Sequence, residues 1–104
     1  MEIKHTDFNR DTLNQRMHLY EKGQTKVKMG HVIIPTGARF PATASKSNPE
    51  EEFSYLVKGK LIGEIEDQAF TMTAGDFIHI PAGHQQWCQN VGDEEVYIVY
   101  TLVE

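Results

Sequence analysis

The stretch Gly75–Asn90, GDFIHIPAGHQQWCQN, constrains what this chain can fold into more than any other part of it. An apolar-rich run (Phe77, Ile78, Ile80) is opened by Gly75-Asp76 and stopped by Pro81-Ala82-Gly83, and a second run then resumes through Trp87 and Cys88. Glycine and proline punctuate a chain because glycine reaches φ values that other residues avoid and proline cannot donate to a hydrogen-bond ladder. The pattern predicts two strands meeting at a tight corner. A polar side chain just past that corner can then point into a cavity.

Strand signals recur through the rest of the chain. Gln15–Tyr20 reads as an edge strand, Glu21–Thr25 as a turn, and Lys26–Ile34 as a strand stopped by Pro35-Thr36-Gly37. Ala42–Glu51, ATASKSNPEE, holds almost nothing a core could use and reads as a loop. Glu52–Val57 alternates, with Phe53, Tyr55 and Val57 on one face and Glu52, Ser54 and Leu56 on the other. Leu61–Ile65 and Ala69–Thr73 form a hairpin about Glu66–Gln68, and Val96–Val103 supplies the last strand. Short strands with frequent turns argue for an all-β sandwich or barrel. Residues 1–15 are polar, with Asn9 to Asn14 set to cap or bend the chain, and read as a short helix or an irregular arm.

The motif spacings resemble those of the cupin family. Gly75, Pro81, Gly83 and Asn90 fall on the family's Gly-x5-Pro-x-Gly-x2-His-x3-Asn pattern, with Gln86 where the metal-binding histidine would stand. Gly37, Glu52 and Gly59 resemble the earlier motif, whose His-x-His pair is missing. Counting back from Glu52 puts those two positions on Ser45 and Ser47 or on Lys46 and Asn48; counting forward from Gly37 puts them on Thr43 and Ser45. The resemblance covers residues 30–103 and implies a cupin-like jelly-roll β-barrel. Residues 1–28 would be an N-terminal arm and edge strand of the same domain, and residues 29–104 the barrel. The almost wholly apolar run VYIVYTLV needs a cover on both faces, one from the barrel and the other from the N-terminal arm or a second subunit, and the resemblance favours a homodimer.

For the site, the resemblance turns Glu52 toward the barrel interior, where a carboxylate needs a cation or hydrogen bonds. The expected pocket is Glu52, Gln86 and His84, with Tyr55 or Trp87 as walls. No metal centre is expected; Glu52, Gln86, His79 and His84 are weak candidate ligands, because transition-metal sites combine imidazole with carboxylate. The plainer expectations are surface histidines at 79 and 84, a packed Trp87 and a buried, inert Cys88 thiol. The leading functional reading is a small single-domain cupin binding a small polar or carbohydrate-like molecule, with no cofactor. The alternatives are a metal-dependent dioxygenase or isomerase using a divalent metal and a depleted ligand set, and a non-catalytic dimeric interaction or sensor module.

Composition excludes other classes. At 104 residues with 39% hydrophobic content, the chain makes one domain. Residues 41–104 carry three basic side chains against eleven acids, and the whole chain is at −5, a poor match for nucleic acid. No apolar run approaches the ~20 residues of a membrane helix. The opening MEIKHTDFNR is too polar for a secretory signal, and the single Cys88 suits the reducing cytoplasm.

Overall fold

The computed structural model describes residues 14–22 and 24–104, with Met1, Ile3 and His5 ahead of them. The expected arm or helix at residues 1–15 lies almost entirely outside these residues. The described chain forms nine strands: β1 (Asn14–Lys22), β2 (Thr25–Ile34), β3 (Arg39–Phe40), β4 (Glu51–Lys58), β5 (Lys60–Ile65), β6 (Gln68–Thr73), β7 (Phe77–Ile80), β8 (Gln86–Asn90) and β9 (Val96–Val103). They build two antiparallel sheets in the orders β1-β2-β9-β4-β7 and β3-β8-β5-β6. This is the all-β class expected from the strand pattern, in the jelly-roll form that the resemblance implies. β1 is the expected edge strand, and β2 runs unbroken across residue 28, where the arm was expected to end. The short β3 carries no pattern of its own in the sequence; it exists because Arg39 and Phe40 pair with Gln89 and Cys88.

The core lies between the sheets. Val32, Ile34, Leu56, Val96, Tyr100 and Leu102 project from the five-stranded sheet onto Leu61 and Met72 of the other. Leu56, Leu61 and Leu102 are almost wholly buried, and each such side chain stabilises the fold by about 2 kcal/mol. The alternation in β4 is as expected: Leu56 and Ser54 are buried, while Phe53, Tyr55 and Val57 stand exposed on the outer face.

The punctuation does what its chemistry allows. At the corner after β7, Gly83 takes a φ of +80° and the chain passes from the five-stranded sheet to the four-stranded one. Between β4 and β5, Gly59 has a φ of +95° and leaves no room for a Cβ, which would meet Val96 Cγ2 at 2.8 Å. The β5–β6 hairpin turns on Glu66 and Asp67, both at positive φ, the hand that matches strand twist. Glu66 is tied down by Gln85, whose backbone nitrogen donates to its carboxylate at 3.1 Å and whose carbonyl accepts its amide at 2.9 Å.

Candidate functional site

Asn90 anchors the C-terminal end of β8, beyond the residues of that strand that line the cavity. It is fully buried, donates from Nδ2 to the carbonyls of Ile34 (3.0 Å) and Glu94 (2.8 Å), and accepts the Gly92 amide on Oδ1 (3.0 Å). With its backbone nitrogen on Ala38 O, it binds β8 to the ends of β2 and the 91–95 loop. The motif asparagine is thus a clamp on backbone carbonyls.

Upstream of the clamp, alternation along β8 turns Gln86, Cys88 and Asn90 to the interior. The 41–50 segment lies in the loop expected over Ala42–Glu51, of which Glu51 already belongs to β4, and it is stitched to the start of β8. Lys46 and Gln86 exchange backbone hydrogen bonds at 3.0 and 2.8 Å, and Asn48 O accepts the Gly83 amide at 2.7 Å. That fastening resolves the ambiguous count: Lys46 and Asn48 are the residues brought to the site, Lys46 in the cavity wall and Asn48 on Glu52.

The cavity opens between the sheets. It leaves about 70 Å³ that can hold the centre of a water molecule, room for a small organic molecule or a few waters. Its walls are mainly aliphatic and aromatic (Phe40, Phe70, Ile78, Ile98), and its polar contributors are Lys46, Glu52, Ser54, Gln86, Cys88 and Tyr100. Glu52 accepts Asn48 Nδ2 on Oε1 at 3.1 Å and Ser54 Oγ on Oε2 at 2.9 Å. The Lys46 ammonium sits 4.6 Å from the centroid of the Phe40 ring, a cation–π contact that holds it over an apolar wall. Gln86 Nε2 is buried without a hydrogen-bond partner. Burial, and next the negative charge of Glu52, push the Cys88 thiol up to about 11, while Lys46 and Arg39 act in the opposite direction. The thiol therefore stays protonated and unreactive at neutral pH.

Of the expected pocket residues, Glu52, Gln86 and Trp87 border this cavity, Trp87 with the Arg39 guanidinium 4.6 Å from its ring centroid. Tyr55 does not: one residue out of phase with Ser54, it faces outward and packs against Phe77 at 4.7 Å. His84 is also outside the lining, closing the corner with its amide on Pro81 O at 3.2 Å. His79 is on the outer face, stacked on Phe53 at 4.8 Å with Nε2 3.0 Å from Glu51 Oε1. Glu51 also accepts the Ala82 amide; that bond first, then the one to His79, holds its carboxyl below the usual range. Sequence reasoning missed Lys46, Asn48 and Ser54 as parts of the site. The Lys46/Asn48 pair was present as one of the counts, and Ser54 shares the inward phase of Glu52.

A metal fits this lining poorly. Among the described residues no group of three or more His, Cys, Asp or Glu could hold one. The two weak candidates that do reach the cavity, Glu52 and Gln86, share it with an ammonium.

Known proteins agree with the fold. The model of the family described as Cupin domain matches residues 30–102. The protein named polyketide synthase CurC of Streptomyces cyaneus is 33% identical over 81 residues, covering 77% of this chain and 51% of that protein. The match thus spans about half the length of that relative. Among solved structures, the Cnp3 cupin domain of Schizosaccharomyces pombe superposes with a TM-score of 0.74 at 21% identity, covering 91% of this chain and 67% of that one. The plu4264 protein of Photorhabdus luminescens gives 0.73 at 23%, covering 99% and 88%. Identities this low speak to the fold alone.

Proposed function

The chain belongs to the cupin domain family, and from that premise we propose that it binds a small organic molecule inside the barrel without a metal centre. One observation carries this reading: a mainly apolar cavity holds Glu52, Lys46 and a buried Gln86 amide nitrogen with no partner. An unpaired buried donor costs about 1–3 kcal/mol, which an acceptor on a ligand would remove. The lining is mainly aliphatic and aromatic, which favours a mainly apolar molecule with one polar edge over a carbohydrate-like one. The polyketide synthase name of the Streptomyces relative is consistent with such a ligand.

A thermal-shift screen of small ketones, phenols, acids and sugars tests the reading, because a ligand that binds only the native state raises its stability. The expected hit is an apolar molecule with a hydrogen-bond acceptor, and Glu52→Gln should diminish its shift. A panel in which nothing raises the melting temperature, or only sugars do, would overturn it.

The homodimer also stands as a proposal. Met29, Phe53, Tyr55 and Phe77 form an exposed apolar band on the outer face of the five-stranded sheet, with Phe77 80% exposed. A second copy seated there would cover it. Sedimentation should show a dimer that Phe77→Ser weakens; a monomer at all concentrations would remove the proposal. The single cysteine, Cys88, supports placing the protein in the reducing cytoplasm.

A further inference from the structure

We propose that the cavity takes a small enolisable ketone and that Glu52 moves the proton on the carbon next to its carbonyl, with Lys46 supplying the positive charge that a metal would otherwise bring. This rests on the binding reading above and names its ligand class and an activity.

The argument begins with the two positions that the family resemblance assigns to histidine ligands. The stitching of the 41–50 segment to β8 puts Lys46 and Asn48 there. In place of two neutral imidazoles around a cation, the chain offers a covalently tethered cation and an amide. Asn48 is already committed to Glu52 Oε1, and Ser54 to Oε2. Each carboxylate oxygen accepts one hydrogen bond and so keeps lone-pair capacity for a proton. The same two bonds orient the carboxylate toward the cavity that it lines. Gln86 Nε2 is a buried donor with nothing to donate to. Glu52, Lys46 and Gln86 line one cavity together with the Cys88 thiol, so the carboxylate, the ammonium and the amide face one space.

A ligand complementary to that set presents an acceptor to Gln86 and Lys46, an acidic hydrogen to Glu52, and an apolar body to Phe40, Phe70 and Ile78. An enolisable ketone has all three. The step balances without any co-reactant. A Glu52 oxygen takes the proton from the α carbon, and the C–H electron pair becomes the carbon–carbon π bond. The carbonyl π pair moves onto oxygen, where the Lys46 ammonium and the Gln86 N–H stabilise the developing oxyanion. Return of the proton to the same carbon gives exchange with solvent; return to another carbon along a conjugated ketone gives its isomer. No atom is oxidised or reduced.

The test uses phenylacetone as probe and the full chain in deuterated buffer, following loss of the benzylic proton signal by NMR. Wild-type protein is expected to exchange it at least about tenfold faster than Glu52→Gln, the low end of what a positioned general base contributes. Lys46→Met should slow exchange, Lys46→Arg should restore part of it, and chelator should change nothing. Quenching of Trp87 fluorescence reports binding separately. Binding without exchange above Glu52→Gln overturns the inference and leaves the binding reading standing. So does exchange as fast in Lys46→Met as in wild type, or exchange abolished by chelator. A phenylacetone that does not bind, when another molecule raises the melting temperature, overturns the ketone assignment alone. If no molecule stabilises the protein, both readings fall. Should Glu52→Gln not fold, the two Lys46 variants still decide the outcome.

Discussion

Replacing Asn90 by aspartate changes one NH₂ to oxygen at nearly constant shape, and it isolates what the clamp contributes. The Gly92 amide keeps its acceptor, so one of the three side-chain bonds survives. The two carbonyls that Nδ2 serves, Ile34 O at 3.0 Å and Glu94 O at 2.8 Å, lose their donor and face a carboxylate oxygen instead. Each unsatisfied buried acceptor costs about 1–3 kcal/mol, and Glu94 O, at the more open end, can recover part of its share from water. A loss of roughly 3 kcal/mol is expected near neutral pH, or a fall in melting temperature of about 12–24 °C for a domain of this size. Ionisation makes matters worse, because the site is fully buried and electron-rich. Acid returns a hydrogen to the side chain, so the gap to wild type should narrow as pH falls. Denaturant titrations of both proteins from pH 4 to 8 measure it. A gap below about 1 kcal/mol, or one that does not change with pH, would refute the clamp as described.

Two further outcomes follow from the packing. The Cys88 thiol is raised to about 11 from 9.0, so above pH 9 the unfolded chain releases its proton first and the native state loses stability. That loss, roughly 2–3 kcal/mol across the window from pH 9 to 11, should disappear in Cys88→Ala; chemical denaturation at pH 8 and 11 compares the two proteins, and equal slopes would contradict it. Gly59→Ala forces a Cβ to within 2.8 Å of Val96 Cγ2 at a φ of +95°, and should cost about 1–3 kcal/mol by the same measurement. An unchanged midpoint would show that the β4–β5 turn can adjust.

What was legible in the sequence was mainly what backbone geometry dictates. Gly59 and Gly83 sit at positive φ because the turns there require it, so their spacing announces the fold whatever the site does. The acidic run Glu50-Glu51-Glu52 shows where legibility stopped. On sequence alone it can be read as one solvated stretch. In the fold, Glu50 is buried against Lys28 at 3.2 Å, Glu51 reaches outward to Ala82 and His79, and Glu52 turns into the cavity. Alternation from Phe53 predicts the last of these, and the others depend on partners remote in sequence. The same holds for Lys46, whose place is set by its backbone pairing with Gln86, forty residues away. Tyr55, expected in the pocket, alternates with the buried Ser54 and so stands on the outer face.

The register of the 41–50 segment admits a direct experiment. If Lys46 and Asn48 occupy the positions beside Glu52, then Lys46→His, Asn48→His and Gln86→His together remove the ammonium and bring three imidazoles to one carboxylate. Three nitrogens and an oxygen around a cavity suit a first-row divalent metal. The triple variant should bind zinc or cobalt in calorimetry, and cobalt should give the visible bands of a low-coordinate complex. Ser45→His, Ser47→His and Gln86→His add the same side chains one residue out of phase. Ser45 and Ser47 are exposed, whereas Lys46 and Asn48 are half-buried, so two imidazoles of this control point away from Glu52. It should bind as weakly as wild type, in which the cavity carries its own cation. Tighter binding by the control would mean that the 41–50 segment sits one residue from where its hydrogen bonds to Gln86 and Gly83 put it. Lys46 would then lose its place beside Glu52, and with it the reason to assign a tethered charge to this cavity.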